Sequence, residues 1–161
     1  MLNIVLYQPE IPPNTGNIIR LCANTGVGLH LIHPLGFEMT KKSLRRASLD
    51  YKEFAQVLDH KNLDGLKEHF PNKKYYAIST KGGTPLYKTS FNKNDILLFG
   101  NETKGLPQEA LSSEDCLDII RIPMARGSRS INLSNAVAIV LFEALRPVSY
   151  THLTLPTTPY V

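Results

Sequence analysis

The chain has 161 residues, 42% of them hydrophobic, which is enough for one domain with a buried core. No apolar run reaches the roughly 18 to 20 residues of a membrane span, and Met1 leads directly into a strand-like segment, so a cytoplasmic protein without a signal peptide is expected. The net charge of +4 and the pI near 9.1 permit a nucleic-acid partner. Cys22 and Cys116 match no metal spacing and predict no disulfide framework.

The first half of the chain alternates strand-like and helix-like segments. NIVLY (3–7) is predicted to form the first strand, and TGNIIRLCANTG (15–26) a helix that ends near Gly26. LHLIH (29–33) predicts a second strand. A short helix is expected around KKSLRRASL (41–49), and LDHKNLDGLKEHF (58–70) has helical spacing up to Pro71.

The second half continues the alternation. Three further strands are predicted in KYYAIST (74–80), DILLFG (95–100) and LDIIRIP (117–123), followed by a helix over 131–146. That helix has apolar residues at core spacing, namely Leu133, Val137, Val140 or Leu141, and Leu145. The order predicts an α/β fold with a mostly parallel sheet and helices on both faces, formed by one domain over residues 1–148.

Residues 149–161 differ from the rest because they have no apolar period and contain two prolines. They could be a loose extension, a short edge strand or a scar of sequence joining.

Three glycine-containing loops follow the last three predicted strands. They are STKGG (79–83), GNETKGLP (100–107) and IPMARGSRSINLS (122–134). Ligands of open α/β sheets bind at the carboxyl ends of the strands, and glycine lets the backbone approach a ligand closely. The loops therefore predict a small-molecule site. The sequence contains neither a G-x-G-x-x-G motif nor a phosphate-binding P-loop, and it has no hydrolase or metal motif.

Basic residues are unevenly distributed. The densest run is KKSLRR (41–46), which includes Arg45 and Arg46, and smaller basic points are Lys73, Lys74, Arg126 and Arg129. These residues could be a solvated face or a surface for RNA phosphates.

Taken together, PPNTGNIIR (12–20), GNETKGLP (100–107) and SRSINLSNAVAI (128–139) resemble the three motifs of the SPOUT class of RNA methyltransferases. The chain is most similar to the small, single-domain family that methylates the ribose 2′-hydroxyl of cytidine or uridine 34 in tRNA. The likeness covers roughly residues 1–146, and the tail after Arg146 departs from the family's usual ending.

The resemblance implies a fold, a cofactor and partners. The fold would be an α/β sheet with a deep trefoil knot in its C-terminal half. The methyl donor would be S-adenosylmethionine, with S-adenosylhomocysteine as product and no metal. The substrate would be the anticodon stem-loop of tRNA, with leucine isoacceptors methylated at the wobble cytidine or modified uridine. The enzyme would be a homodimer whose active sites are completed across the interface.

The resemblance also implies roles for individual residues. Cofactor-binding positions would be Ile78, Gly100, Ile122, Met124, Ser130, Asn132 and Leu133. Catalytic positions would be Asn14, Arg20, Glu102 and Ser130. Because a guanidinium is not expected to lose its proton in a protein, a charged Arg20 that stabilises the developing alkoxide is favoured over Arg20 as the base. The proton would then go to phosphate, to Glu102 or to water.

Simpler roles compete with each of these. Asn14 could cap the first helix, and Ser130, Asn132 or Ser134 could cap the last. Glu102 could be a solvated carboxylate and Arg20 a surface ion-pair partner. Two other functions also fit the sequence: a SPOUT methyltransferase acting on another RNA site, and a non-catalytic RNA-binding protein that retains the fold.

Overall fold

The structure is a computed structural model that describes residues 1–40, 42–43 and 56–146. Most of the helix predicted around 41–49, together with Arg45, Arg46 and the tail over 149–161, lies outside these ranges. The elements with described bounds are β1 (Asn3–Tyr7), α1 (Pro12–Thr25), β2 (Gly28–Ile32), β3 (Val57–His60), α2 (Leu63–His69), β4 (Tyr75–Ile78), β5 (Thr84–Pro85), a 3-10 turn (Leu86–Lys88), β6 (Ile96–Phe99), α3 (Gln108–Leu111), β7 (Cys116–Arg121) and α4 (Leu133–Leu145).

The strands form one seven-stranded sheet in the order β3-β2-β1-β6-β4-β7-β5, and every pairing of these strands is parallel. The central strand β6 is buried along its whole length, as expected for a parallel strand covered on both faces. The predicted α/β fold with a mostly parallel sheet is confirmed.

Helices cover both faces of the sheet. Ile4 and Leu6 of β1 point into a cluster that includes residues of α1 and α4, whereas Val5 points into a second cluster with α2 and α3. This alternation is the two-residue period of a strand. Each cluster lies on one side of the sheet, so the polar loops are left at the strand ends.

Residues 57–60 correct one prediction. The helical spacing assigned to 58–70 holds only from Leu63, because Val57–His60 instead forms the parallel edge strand β3 beside β2. The helix starts after Asn62, whose side chain accepts a hydrogen bond from the backbone N–H of Gly65. The short elements β5 and α3 were also missed, since segments of two and four residues contain too few residues to show a period.

The first helix ends where the sequence predicted. Gly26 adopts a left-handed conformation with φ of 68°, and its N–H bonds back to the carbonyl of Cys22. Among the described residues no helix is both long and apolar enough to cross a membrane.

Candidate active site

One cavity lies at the carboxyl ends of β4, β6 and β7. Its volume is about 670 Å³, within the 300–1,000 Å³ range of ligand pockets. The three glycine-containing loops predicted to share one sheet edge all line it. All seven residues predicted to bind a cofactor line it as well: Ile78, Gly100, Ile122, Met124, Ser130, Asn132 and Leu133.

The loop after β6 is folded tightly against itself. A side chain at Gly100 would overlap the backbone of Gly105 and Leu106, and Gly105 has a φ of +67°. The side chain of Asn101 accepts a hydrogen bond from the backbone N–H of Lys104 at 2.7 Å, which fixes the turn. Backbone groups of this loop are therefore held at the cavity wall.

Glu102 binds the start of α1. Its carboxylate accepts hydrogen bonds from the backbone N–H groups of Glu10 (2.8 Å) and Ile11 (3.0 Å). Pro12 and Pro13 follow Ile11 in the first turn of α1 and have no N–H to satisfy. The first N–H groups of a helix have no partner within the helix. Here the two prolines remove two of these groups, and the negative charge of Glu102 is favoured at the helix N-terminus.

Asn14 connects Glu102 to the last helix. Its side-chain amide donates to Glu102 at 3.2 Å, and its side-chain carbonyl accepts from the amide of Asn132 at 2.8 Å. Asn132 in turn caps α4, because its side-chain oxygen accepts from the backbone N–H groups of Ser134 and Asn135. We call Glu102, Asn14 and Asn132 the polar network.

The polar network excludes several of the simpler roles. Asn14 is not a helix cap: Ile11 occupies that position, and Asn14 lies inside the first turn with only 5% of its surface exposed. Glu102 is not a solvated carboxylate, because it has three donors. Asn132 caps α4, whereas Ser130 lies before the cap, exposed in the cavity lining.

A second contact joins the same loops. The hydroxyl of Thr103 donates to the carboxylate of Glu10, with distances of 2.7 and 2.9 Å to its two oxygens. Glu10 and Thr103 were not singled out in the sequence, although Glu10 lies just before PPNTGNIIR and Thr103 lies within GNETKGLP. No sequence pattern pairs two residues 93 positions apart.

Arg20 is the predicted catalytic residue that does not line the cavity. It lies on an exposed face of α1 with Pro13, Asn17 and Asn24, at helical spacing. Asn14 and Arg20 are six residues apart, so they point about 120° away from each other around the helix axis.

The predicted basic points separate into two groups. Arg126 and Arg129 line the cavity. Lys73 and Lys74 directly precede β4, so they lie at the amino ends of the parallel strands, opposite the cavity. Three further cations that the sequence reasoning did not select also line the cavity: Lys81, Lys104 and Arg121. Each of them lies in or directly before a glycine-containing loop, and this position in the sequence could have identified them.

Other reactive groups lie away from the cavity. Both cysteines are free, and burial raises the pKa of Cys22 to about 12, so its thiol is inert at neutral pH. The rings of His30 and His60 stack between β2 and β3, and His69 of α2 meets both rings edge-on. Within residues 1–40, 42–43 and 56–146, no group of three or more His, Cys, Asp or Glu side chains is placed to hold a metal ion.

The chain is similar to known proteins. A profile of the SpoU rRNA methylase family matches residues 1–142. A tRNA (cytidine(34)-2′-O)-methyltransferase from Saccharophagus degradans is 51% identical over 150 residues, covering 93% of this chain and 97% of that protein.

Solved structures are similar too. A structure described as giving insight into the 2-OH methylation of C/U34 on tRNA is 42% identical to this chain, with a TM-score of 0.83. The match covers 91% of this chain and 95% of that chain. The structure of an AdoMet-bound rRNA methyltransferase from Sinorhizobium meliloti is 26% identical to this chain, with a TM-score of 0.77. The match covers 92% of this chain and 57% of that one.

Proposed function

The chain belongs to the SpoU rRNA methylase family, and we propose that it methylates the ribose 2′-hydroxyl of nucleotide 34 in tRNA, using S-adenosylmethionine. The observation that carries this function is the cavity at the ends of β4, β6 and β7, with the polar network in its wall. The relative named for this reaction is 51% identical and matches 93% of the chain, which supports the same target position.

The cavity suits S-adenosylmethionine by its size and by its mixture of surfaces. Ile78 and Leu133 are buried apolar residues that would pack against an adenine ring, while the folded backbone after β6 offers N–H and C=O groups. When bound, the cofactor supplies an activated methyl group. Ile122, Met124 and Ser130 would complete the walls.

The residues of the chain position the ribose and manage its proton. A 2′-hydroxyl must lose its proton as it reacts. Because the carboxylate of Glu102 already accepts three hydrogen bonds that hold the cavity wall, we assign it a positioning role through Asn14 and α1. The proton then goes to a substrate phosphate or to water, with a charged Arg20 stabilising the developing alkoxide.

The sheet order supports the trefoil knot implied by the family resemblance. β6 lies between β1 and β4, and β7 lies between β4 and β5, so late segments of the chain insert between early ones. After β7 the chain passes along the cavity and reaches α4, which packs against α1. A knot in this region would hold the cofactor loops together.

A homodimer would bring Arg20 to the site. An apolar groove of about 370 Å³ adjoins the cavity, since Ile122 lines both. Tyr87, Ile139 and Phe142 line the groove, and each is at least 45% exposed. We assign this groove to a second copy of the chain, whose Arg20 would reach the neighbouring cavity, since Arg20 does not line the cavity of its own chain.

The remaining details of the proposal follow from the family resemblance. The anticodon stem-loop would be the bound part of the tRNA, leucine isoacceptors the substrates, and the cytoplasm the place of reaction. No metal would be needed, so calorimetry should show that S-adenosylhomocysteine binds equally well with and without a chelator.

Mixing subunits tests the shared site. Arg20→Ala and Ser130→Ala chains, each inactive alone, should give heterodimers with one intact site. A one-to-one mixture should then recover about a quarter of the wild-type rate, since half of the dimers are mixed. No recovery, although mixed dimers form, would place Arg20 in its own subunit's site.

Arg20→Lys tests how the arginine acts. Lysine keeps the charge but loses the planar fork, so we expect it to be almost as inactive as alanine. A lysine variant whose rate rises steeply at alkaline pH would instead support Arg20 as the base.

A folded wild-type protein that binds tRNA and cofactor without transferring methyl groups would favour the non-catalytic RNA-binding alternative.

A further inference from the structure

Five cationic side chains surround the mouth of the cavity. Lys81 comes from the loop after β4, Lys104 from the loop after β6, and Arg121, Arg126 and Arg129 from the end of β7 and the loop that follows it. All five are exposed. We call them the cation rim.

Within the part of the chain that the structure describes, the cation rim has no protein counter-ions. Among the described residues, no carboxylate forms an ion pair with any of the five, although Lys67 pairs with Asp115 elsewhere on the surface. Glu102 is the acidic residue in the cavity lining, and its carboxylate is taken up by the start of α1. The nearby carboxylate of Glu10 is bound by the hydroxyl of Thr103.

Five like charges around one opening repel each other, and this cost is offset when an anion binds. The cofactor has a single carboxylate, so it could engage only one or two of the five cations. A chain of phosphodiesters offers one negative charge per nucleotide and could engage all of them.

We propose that the cation rim binds the phosphate backbone of the substrate RNA, so that the strand lies across the mouth of the cavity. This inference rests on the proposed function and extends it by assigning the phosphate contacts. Phosphate contacts fix the register of a strand without reading its sequence. The rim would therefore place the target ribose over the cavity whichever base it carries.

A pair of double variants with equal charge tests the rim. Lys81→Gln with Lys104→Gln removes two rim cations. As the control, Lys74→Gln with Lys93→Gln removes two exposed lysines that precede β4 and β6. They lie at the amino ends of the strands, away from the cavity. Both variants change the net charge from +4 to +2, so any general charge effect is the same.

Affinity for tRNA is measured by anisotropy from 50 to 200 mM KCl, and affinity for S-adenosylhomocysteine by calorimetry. We expect the rim variant to bind tRNA about 10 to 100 times more weakly, with a salt slope lower by about 1.4 to 1.8. The control variant should stay within about threefold of wild type with an unchanged slope. Both variants should bind S-adenosylhomocysteine like wild type.

Three outcomes would overturn the inference or separate it from the proposed function. Equal weakening by both variants would show that only net charge matters. Loss of S-adenosylhomocysteine affinity in the rim variant, with tRNA affinity retained, would assign the lysines to the cofactor carboxylate. If the rim variant shows the expected loss of tRNA affinity but the wild-type protein transfers no methyl group, the rim is supported and the proposed activity is overturned.

Discussion

Replacing Asn14 with aspartate tests the polar network most sharply. The side-chain amide of Asn14 lies 3.2 Å from a carboxylate oxygen of Glu102. The substitution exchanges this donor for a second carboxylate at a position that is 5% exposed. At an effective dielectric constant of about 20, two unit charges at this distance repel by about 5 kcal/mol.

Protonation limits that cost. One of the two carboxyls can take up a proton and donate it to the other, and protonating an ordinary carboxyl at pH 7 costs about 4 kcal/mol. We therefore expect Asn14→Asp to lower the free energy of unfolding by about 4 kcal/mol at pH 7. Relative to wild type, the deficit should shrink by about 1.4 kcal/mol for each pH unit below 7.

Urea unfolding of both proteins between pH 5 and 8 measures this deficit. Asn17→Asp is the matched control, because Asn17 is an exposed asparagine on the same helix, and we expect a change within about 0.5 kcal/mol. Adding Glu102→Gln to Asn14→Asp removes the repulsion, so the double variant should lose less stability than the two single losses summed. The network would be refuted if Asn14→Asp matched Asn17→Asp at pH 7, or if its deficit did not depend on pH.

Three further predictions concern stability. Burial, reinforced by His60 and His69, lowers the pKa of His30 from 6.5 to about 4, so the folded state binds fewer protons than the unfolded chain between these pH values. The free energy of unfolding should be greatest above pH 6.5 and fall by up to about 3 kcal/mol by pH 4, and His30→Gln should flatten this slope in urea titrations. Asn132→Ala removes the cap of α4 and the partner of Asn14, and should cost about 2 to 3 kcal/mol in the same assay, whereas Ser130→Ala should cost less than about 0.5 kcal/mol. Deleting residues 149–161 should leave the melting temperature and cofactor affinity unchanged, and a large drop would mean that this segment packs on the core.

Five of the seven strands, β1, β2, β4, β6 and β7, and the two longest helices could be predicted because their signals are local. β1 and β6 are continuous apolar runs, and α4 repeats its core residues at helical spacing. β3 was missed because its four residues precede a helix and share its apolar spacing. Only pairing with β2 makes that segment a strand.

The site was predictable by motif but not by contact. The family resemblance selected seven of the positions that line the cavity, and they lie between the carboxyl ends of β4, β6 and β7 and the start of α4. The hydrogen bond between Asn14 and Asn132 joins residues 118 positions apart, and no spacing rule gives it. The alternative role of Asn14 as a helix cap is excluded because Ile11 occupies the cap position and Glu102, a side chain from another loop, binds the helix end.

Mapping the methylated nucleotide tests the proposed methyl transfer to nucleotide 34. Bulk tRNA from cells lacking this gene would be incubated with the purified protein and S-adenosylmethionine, then digested and analysed by mass spectrometry. We expect one new 2′-O-methyl group, at nucleotide 34, that is absent from reactions with Arg20→Ala. A 2′-O-methyl group at another position, or none from a folded protein that binds both substrates, would contradict it.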